Sequence, residues 1–178
     1  NLISNIYKPN SGKILIDNKN INEYTEEEIQ RNISIISQDY YLFDMSIKEN
    51  LLLAKPEMTD SEMCDICKFV GIHDFIMSLP QKYDTIIGEG GGFLSGGQKQ
   101  KIVIARTLLL ETKIILFDEF TSALDKNSEK TIIDILKKIS KNHTIIIVTH
   151  KIELFNEFKI RYLLSNKKLL KVEENAEN

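Results

Sequence analysis

A chain of 178 residues can bury one full core, or one core carrying a small subdomain, and leaves no room for two independent domains. With 42% hydrophobic and 28% charged residues it has an ordinary globular composition, and no apolar run reaches the roughly 18 to 20 residues that cross a bilayer. A net charge of -3 lacks the basic excess that phosphate-backbone binding needs, so nucleic acid is not expected as a partner.

Residues 1–7 read as the end of a helix, closed by the turn residues Pro9, Asn10, Ser11 and Gly12. Residues 13–17 alternate as a strand does, and Asn18, Lys19 and Asn20 supply a turn before Ile21, which predicts a peripheral hairpin. Thr25 with Glu28 three residues on is a capping box that opens a short helix to about Asn32. Residues 33–37 then read as a buried strand ending at Gln38.

From residue 39 the pattern becomes helical. Capping boxes at Ser46 and Glu49 and at Thr59 and Glu62, with stop signals at Gly71 and Pro80, predict a helical subdomain over residues 39–94 inserted between flanking pieces 1–38 and 95–178. Cys64 and Cys67 fall inside the helix expected over 59–70. With only His73 nearby as a further ligand, they read as helix residues in a reducing cytosol rather than as a zinc or redox pair.

Alternation of helix and strand returns at Ser95, with a helix expected over 96–110, a strand over 114–118, a helix over 126–141 and a strand over 144–149. This predicts an α/β fold with a parallel sheet. Continuous apolar strands such as residues 144–148 predict burial on both faces, and ligands are expected at the strands' C-terminal ends. Further strands are expected over 159–165 and 168–172, and residues 173–178 read as a polar tail.

Two segments carry the chemistry. Ser95 and Gln98 form another capping box, but Gly96 and Gly97 each weaken a first helical turn by up to about 1 kcal/mol relative to alanine, which helix stability does not explain. Exposed N–H groups at a helix N-terminus attract an anion, and glycine lets a phosphate approach closely. Some twenty residues on, an apolar strand delivers Asp118 and Glu119. They have a plain reading as surface acids at a strand end. In phosphoryl transfer the same pair has a direct meaning, one carboxylate holding Mg²⁺ and the next orienting or deprotonating the attacking water. His150 ends the strand after Val148 and Thr149 and would reach a γ-phosphate if the two strands are parallel neighbours. Gln38, an ordinary polar strand end by itself, would face the same crevice.

The order and spacing of these residues resemble the nucleotide-binding domain of ATP-binding cassette (ABC) transporters over nearly the whole chain. Leu94, Ser95, Gly96, Gly97 and Gln98 are similar to the signature motif, and residues 114–118 to the Walker B strand. Glu119 is similar to the catalytic base, Gln38 to the Q-loop glutamine and His150 to the switch histidine. Ser122, Ala123, Leu124 and Asp125 resemble the D-loop. The resemblance implies a P-loop NTPase-like fold, ATP and Mg²⁺ as ligands, Asp118 and Gln38 at the metal, and Ser95, Gly96, Gly97, Gln98 and Asp125 at the nucleotide. It also implies a head-to-tail dimer in which one domain's signature meets the γ-phosphate held by the other, as a homodimer or a heterodimer.

Tyr83, Asp84 and Thr85 followed by Gly88, Glu89, Gly90 and Gly91 resemble the extra loop of exporter domains, the alternative being an importer ATPase. By that resemblance the chain works at the cytoplasmic face of the cell membrane, coupled to a transmembrane domain, fused or separate. Tyr40, Tyr41, Phe43 and Glu89 are the candidates for that contact.

The phosphate loop G-x-x-x-x-G-K-S/T does not occur in this sequence. Around Gly12 and Lys13, Tyr7 stands where the first glycine would be and Ile14 where the hydroxyl residue would be. The resemblance therefore leads to the expectation of an N-terminally truncated ATPase domain, whose sheet, lacking its first strands, exposes an apolar edge and face. The alternative is a catalytically incomplete module that donates its signature to a competent partner. DNA-repair and chromosome cassette ATPases carry long insertions for which the distance from Gln38 to Ser95 leaves no room.

Overall fold

The computed structural model describes residues 2–121 and 124–172, and it opens with turns rather than the expected helix. Asn5 takes φ of 57° and its N–H reaches back only to the Leu2 carbonyl, at 3.2 Å, a geometry that cannot propagate a helical ladder. Strands β1 (Leu15–Ile16) and β2 (Lys19–Asn20) pair antiparallel but are very short. Asp17 and Asn18, with φ of 49° and 64°, make the two-residue turn between them, so the turn falls one residue earlier than the sequence pattern suggests. Helix α1 (Glu26–Asn32) starts at the predicted box: Thr25 Oγ1 accepts from the Glu28 N–H at 3.1 Å and the Glu28 carboxylate accepts from the Thr25 N–H at 2.8 Å. It leads directly into β3 (Ile33–Ile36).

The next segment is helical as expected, with α2 (Ile47–Leu52), α3 (Asp60–Phe69) and α4 (His73–Ser78). Reciprocal capping boxes open α2 at Ser46 and α3 at Thr59. Gly71, at φ of 69°, takes the chain out of α3, and Pro80 lies just beyond α4. Ile47, Leu51, Met63, Cys67, Val70, Ile72 and Ile76 are at most 2% exposed and share one core with Ile102 and Ile104 of the following helix. Burial pushes the Cys67 thiol up to about 11, as befits a core side chain. His73, the nearest further ligand for a metal, instead shares a hydrogen bond with the Tyr83 hydroxyl at 2.8 Å through Nδ1.

The remaining elements are α5 (Gly96–Leu108), β4 (Ile114–Asp118), α6 (Lys126–Ile139), β5 (Thr144–Val148), α7 (Ile152–Asn156), β6 (Arg161–Ser165) and β7 (Lys168–Val172). Strands β3, β4 and β5 lie side by side in that order, all parallel, with Ile36 opposite Phe117 and Phe117 opposite Ile147. Strands β6 and β7 form a separate antiparallel hairpin.

Burial on both faces of the parallel sheet, expected from its apolar strands, is realised on one. Ser34, Ile36, Ile115 and Phe117 are buried, and Ile36, Ile115 and Phe117 join the main core with residues of α2, α5 and α6. The opposite face packs Ile33 with Ile21 and Ile29 in a small second cluster, and there Ile35 is 44% exposed. The cover on that face includes α1, the first hairpin region and Ile3 of the opening turns. Leu163, Leu164, Leu169 and Leu170 of the β6–β7 hairpin are likewise exposed.

Candidate functional site

Because β4 and β5 are parallel neighbours, the residues that follow them leave the sheet at one edge. Glu119 extends the ladder by one step, its N–H donating to the Val148 carbonyl at 2.9 Å. Its φ of 48° lies in the left-handed region, which costs a non-glycine residue on the order of 1 kcal/mol and is found where a side chain must be aimed. The aim is His150: Glu119 Oε1 lies 2.8 Å from His150 Nε2. The His150 side chain is 85% exposed and that of Glu119 34%, so a ligand can reach both. Asp118 ends β4, and Gln38 follows Ile36, the register partner of Phe117, by two residues. Both are exposed at the edge that carries the pair.

The second group lies at the start of α5. Ser95 Oγ accepts from the Gln98 N–H at 3.3 Å, and Gln98 Oε1 accepts from the Ser95 N–H at 2.9 Å, closing the predicted box. The two glycines turn out to differ. A Cβ on Gly97 would lie 2.9 Å from Ser128 Oγ and 3.1 Å from Ser128 Cβ, so Gly97 is required by the packing of α5 on α6. A Cβ on Gly96 would meet Leu124 Cδ2 at an ordinary 3.5 Å, so packing leaves Gly96 without an internal reason. Asp125 caps α6, accepting from the Asn127 and Ser128 N–H groups at 3.0 Å each, and the Ser128 hydroxyl, followed by these backbone bonds, holds its carboxyl below the usual carboxylate range. Ser95, Gly97, Gln98 and Lys101 of one helix and Asn127, Ser128 and Thr131 of the other line a shallow cavity of about 230 Å³. Of the predicted D-loop, Leu124 and Asp125 are described, while Ser122 and Ala123 lie outside the described residues.

A residue that the sequence pattern did not single out ties the two groups together. Gln100, on α5 and 1% exposed, donates its Nε2–H to the Phe120 carbonyl, one residue beyond Glu119. Its signal was an amide on the stripe of Gln100, Val103, Ile104 and Thr107, the face of α5 that is buried. Arg106, near the other end of α5, donates to the Tyr41 carbonyl at 2.8 Å. Thus one helix joins the turn at Ser95, the segment after Glu119 and the segment after Gln38.

Of the four residues read as candidates for a membrane-domain contact, Tyr40 turns inward. Its ring packs edge-on against Phe120 at 5.6 Å and burial raises its hydroxyl pKa, which removes it from the candidate surface. Tyr41 and Phe43 pair edge to face at 5.2 Å and remain exposed, as does Glu89. Gly91, in the same glycine-rich turn as Glu89, sits so near Leu42 that an added Cβ would come within 3.2 Å of it, so the turn and the aromatic pair lie against neighbouring positions.

The donor types fit the ligands the resemblance implies. Oxygen donors at one edge, the Asp118 carboxylate and the Gln38 amide, suit a hard divalent cation such as Mg²⁺, and the first-turn N–H groups of α5 suit a phosphate.

The family model described as ABC transporter matches residues 1–122. A putative multidrug export ATP-binding/permease protein of Staphylococcus aureus (strain bovine RF122 / ET3-1) is 46% identical over 152 residues, and the protein of the same description from strain NCTC 8325 / PS 47 is equally similar. Each alignment takes in 85% of this chain and 26% of the relative, so the chain corresponds to about a quarter of those proteins' length. Among solved structures, that of a bacterial Atm1-family ABC exporter with ATP bound superposes with a TM-score of 0.84 at 35% identity, covering 94% of this chain and 29% of the exporter chain.

Proposed function

Since this chain belongs to the ABC transporter family, we propose that it is the signature-bearing part of an exporter's ATPase domain, which hydrolyses Mg-ATP in a head-to-tail pair of such domains to drive transport through a membrane domain. The observation that carries this reading is the pairing of Glu119 with His150 at 2.8 Å, at the edge where two parallel strands end. There the Glu119 carboxylate takes the proton of the attacking water, and His150 holds that carboxylate in place while its exposed ring meets the γ-phosphate. Asp118 and Gln38 would hold Mg²⁺, which would supply positive charge against the phosphates. Ser95 and the amides around Gly96 face a γ-phosphate bound by the opposite domain, which gives Gly96 the external reason that packing does not. Asp125 orders the approach to α6 beside that contact.

The assignment to an exporter at the cytoplasmic face of the membrane rests on the likeness to exporter proteins and on the turn containing Glu89. No helix among the described residues is long and apolar enough to cross a membrane. Tyr41, Phe43 and Glu89 form its docking surface, at the junction of a core (residues 1–38 and 95–178) with a helical subdomain (39–94). The test is Glu119→Gln in the whole protein that carries this chain. The amide keeps hydrogen-bonding capacity but cannot accept the proton, so ATP binding is retained while turnover falls by about 10² to 10⁴. Turnover within a few-fold of wild type removes Glu119 as the base.

A further inference from the structure

His150 stands on a short connection between β5 and α7 with its side chain largely in solvent, so packing alone does not fix it. The next residue does the fixing. The Lys151 N–H donates to Thr149 Oγ1 at 3.0 Å, folding the connection back on itself. The Lys151 ammonium then donates to the Thr121 carbonyl at 2.7 Å and lies 3.0 Å from Glu129 Oε1, an ion pair rather than a directional hydrogen bond. Thr121 is buried, the Glu129 side chain is 13% exposed and that of Lys151 28%. Held between a backbone carbonyl and a carboxylate, the ammonium has its location specified by both partners.

These partners are placed informatively. Thr121 is two residues beyond Glu119, and its carbonyl also receives the Leu124 N–H at 3.2 Å, at the approach to Asp125. Glu129 lies in the first turns of α6, the helix whose Ser128 backs Gly97. Lys151 is adjacent to His150. One ammonium therefore spans the connection bearing the histidine, the segment following the acid and the helix behind the signature.

We propose that Lys151 is a positioning residue for turnover, a strut that holds His150 against Glu119 and ties both to the signature side of the site through Thr121 and Glu129. This rests on the ATPase reading above. Lysine is not the only side chain that can serve: a guanidinium offers donors to both acceptors at once, whereas an apolar chain of similar length offers none.

In the whole protein, Lys151→Met is expected to lower kcat by about tenfold to a hundredfold, the loss that a misplacement on the order of 1 Å produces. The KM for ATP should stay within about twofold, because the strut touches no nucleotide. Lys151→Arg should restore most of kcat. The double variant Lys151→Met with Glu129→Gln removes the unpaired buried carboxylate and recovers the melting temperature, yet should stay slow because the Thr121 contact is still missing. Native turnover in the double variant, or in Lys151→Met alone, overturns the strut. If the wild-type protein hydrolyses no ATP, the ATPase reading fails, and the strut is decided in the same whole protein by exchange of the Leu124 amide. That exchange should speed by about tenfold in Lys151→Met. Unchanged exchange overturns the proposal.

Discussion

The helices between residues 39 and 94 and the strands beyond residue 140 are held in opposite ways. In the first region the ends of α2 and α3 are closed by their own capping boxes, and Ile47, Leu51, Val70 and Ile76 are buried. In the second, Val148 is 51% exposed and Leu164 72%, on strands whose apolar content would support a buried sheet. Yet the second region carries His150. The side chain proposed to meet the phosphate thus stands where packing is thin, and its position is left to a few polar ties, the contact with Glu119 and the bonds made by Lys151. The region proposed to meet the membrane domain is, by contrast, held by its own caps and core.

The largest effect that sharpens this contrast is expected from Leu51→Ala, which empties a fully buried position on α2 and should cost about 2 to 5 kcal/mol in urea unfolding. Leu164→Ala, the same truncation at an exposed position on β6, should fall within about 0.5 kcal/mol of wild type. Equal costs at the two sites would break the comparison. A smaller loss is expected from Asn50→Ala. The Asn50 side chain, fully buried, accepts from the Phe43 N–H at 2.9 Å and donates to the Phe43 and Ser46 carbonyls at 3.0 Å each, clamping the loop that presents Tyr41 and Phe43. Its removal takes the acceptor from the Phe43 N–H, while the Phe43 and Ser46 carbonyls keep the Met45 and Asn50 N–H groups; the loss, at about 1 to 3 kcal/mol, should speed exchange of the Phe43 amide while leaving the β6–β7 amides unchanged.

This division also explains what could be read in the sequence. The capping boxes at Thr25, Ser46, Thr59 and Ser95 are all realised, because the signal and the bond it predicts lie within four residues. Strands β3, β4 and β5 were legible from their apolar runs, and the pairing of Glu119 with His150 followed once those strands proved to be parallel neighbours. The open face of the sheet was not legible from the strands themselves. An apolar run states what a strand can bury, and only the elements packed on it decide what is covered. The apolar residues of the first segment likewise suggested a helix where Asn5 turns the chain. Gly97 read as a concession to phosphate until Ser128 appeared behind it, thirty-one positions away. The bonds from Gln100 to Phe120 and from Lys151 to Thr121 are of the same kind, local in space and remote in sequence, where periodicity carries no information.

The smallest expected effect separates the two regions by acid. At the start of α3 the Glu62 carboxylate accepts from the Thr59 N–H at 2.8 Å and from the Thr59 hydroxyl at 2.8 Å, and pairs with the Lys55 ammonium at 2.9 Å. The Thr59 backbone bond and the Lys55 bond, in that order, hold its pKa down to about 2. In the unfolded chain the same acid titrates at about 4.3, so the native state binds fewer protons in between. The contribution is therefore complete above the unfolded value and is lost as the pH falls toward the folded one. Glu49, lowered by its bonds to Ser46, reinforces the same trend in α2. Both carboxylates are solvent-exposed, so the consequence is fraying of helix starts rather than global unfolding. On going from about pH 6 to about pH 3, amides in the first turns of α2 and α3 should lose protection relative to intrinsic exchange, and those of β6 and β7 should not. Glu62→Gln should abolish the pH dependence at α3 alone, since the amide keeps the capping bond but has no proton to gain. Equal loss of protection in both regions would mean that the helical segment is not held by its caps, and the contrast between the two regions would then rest on core packing alone.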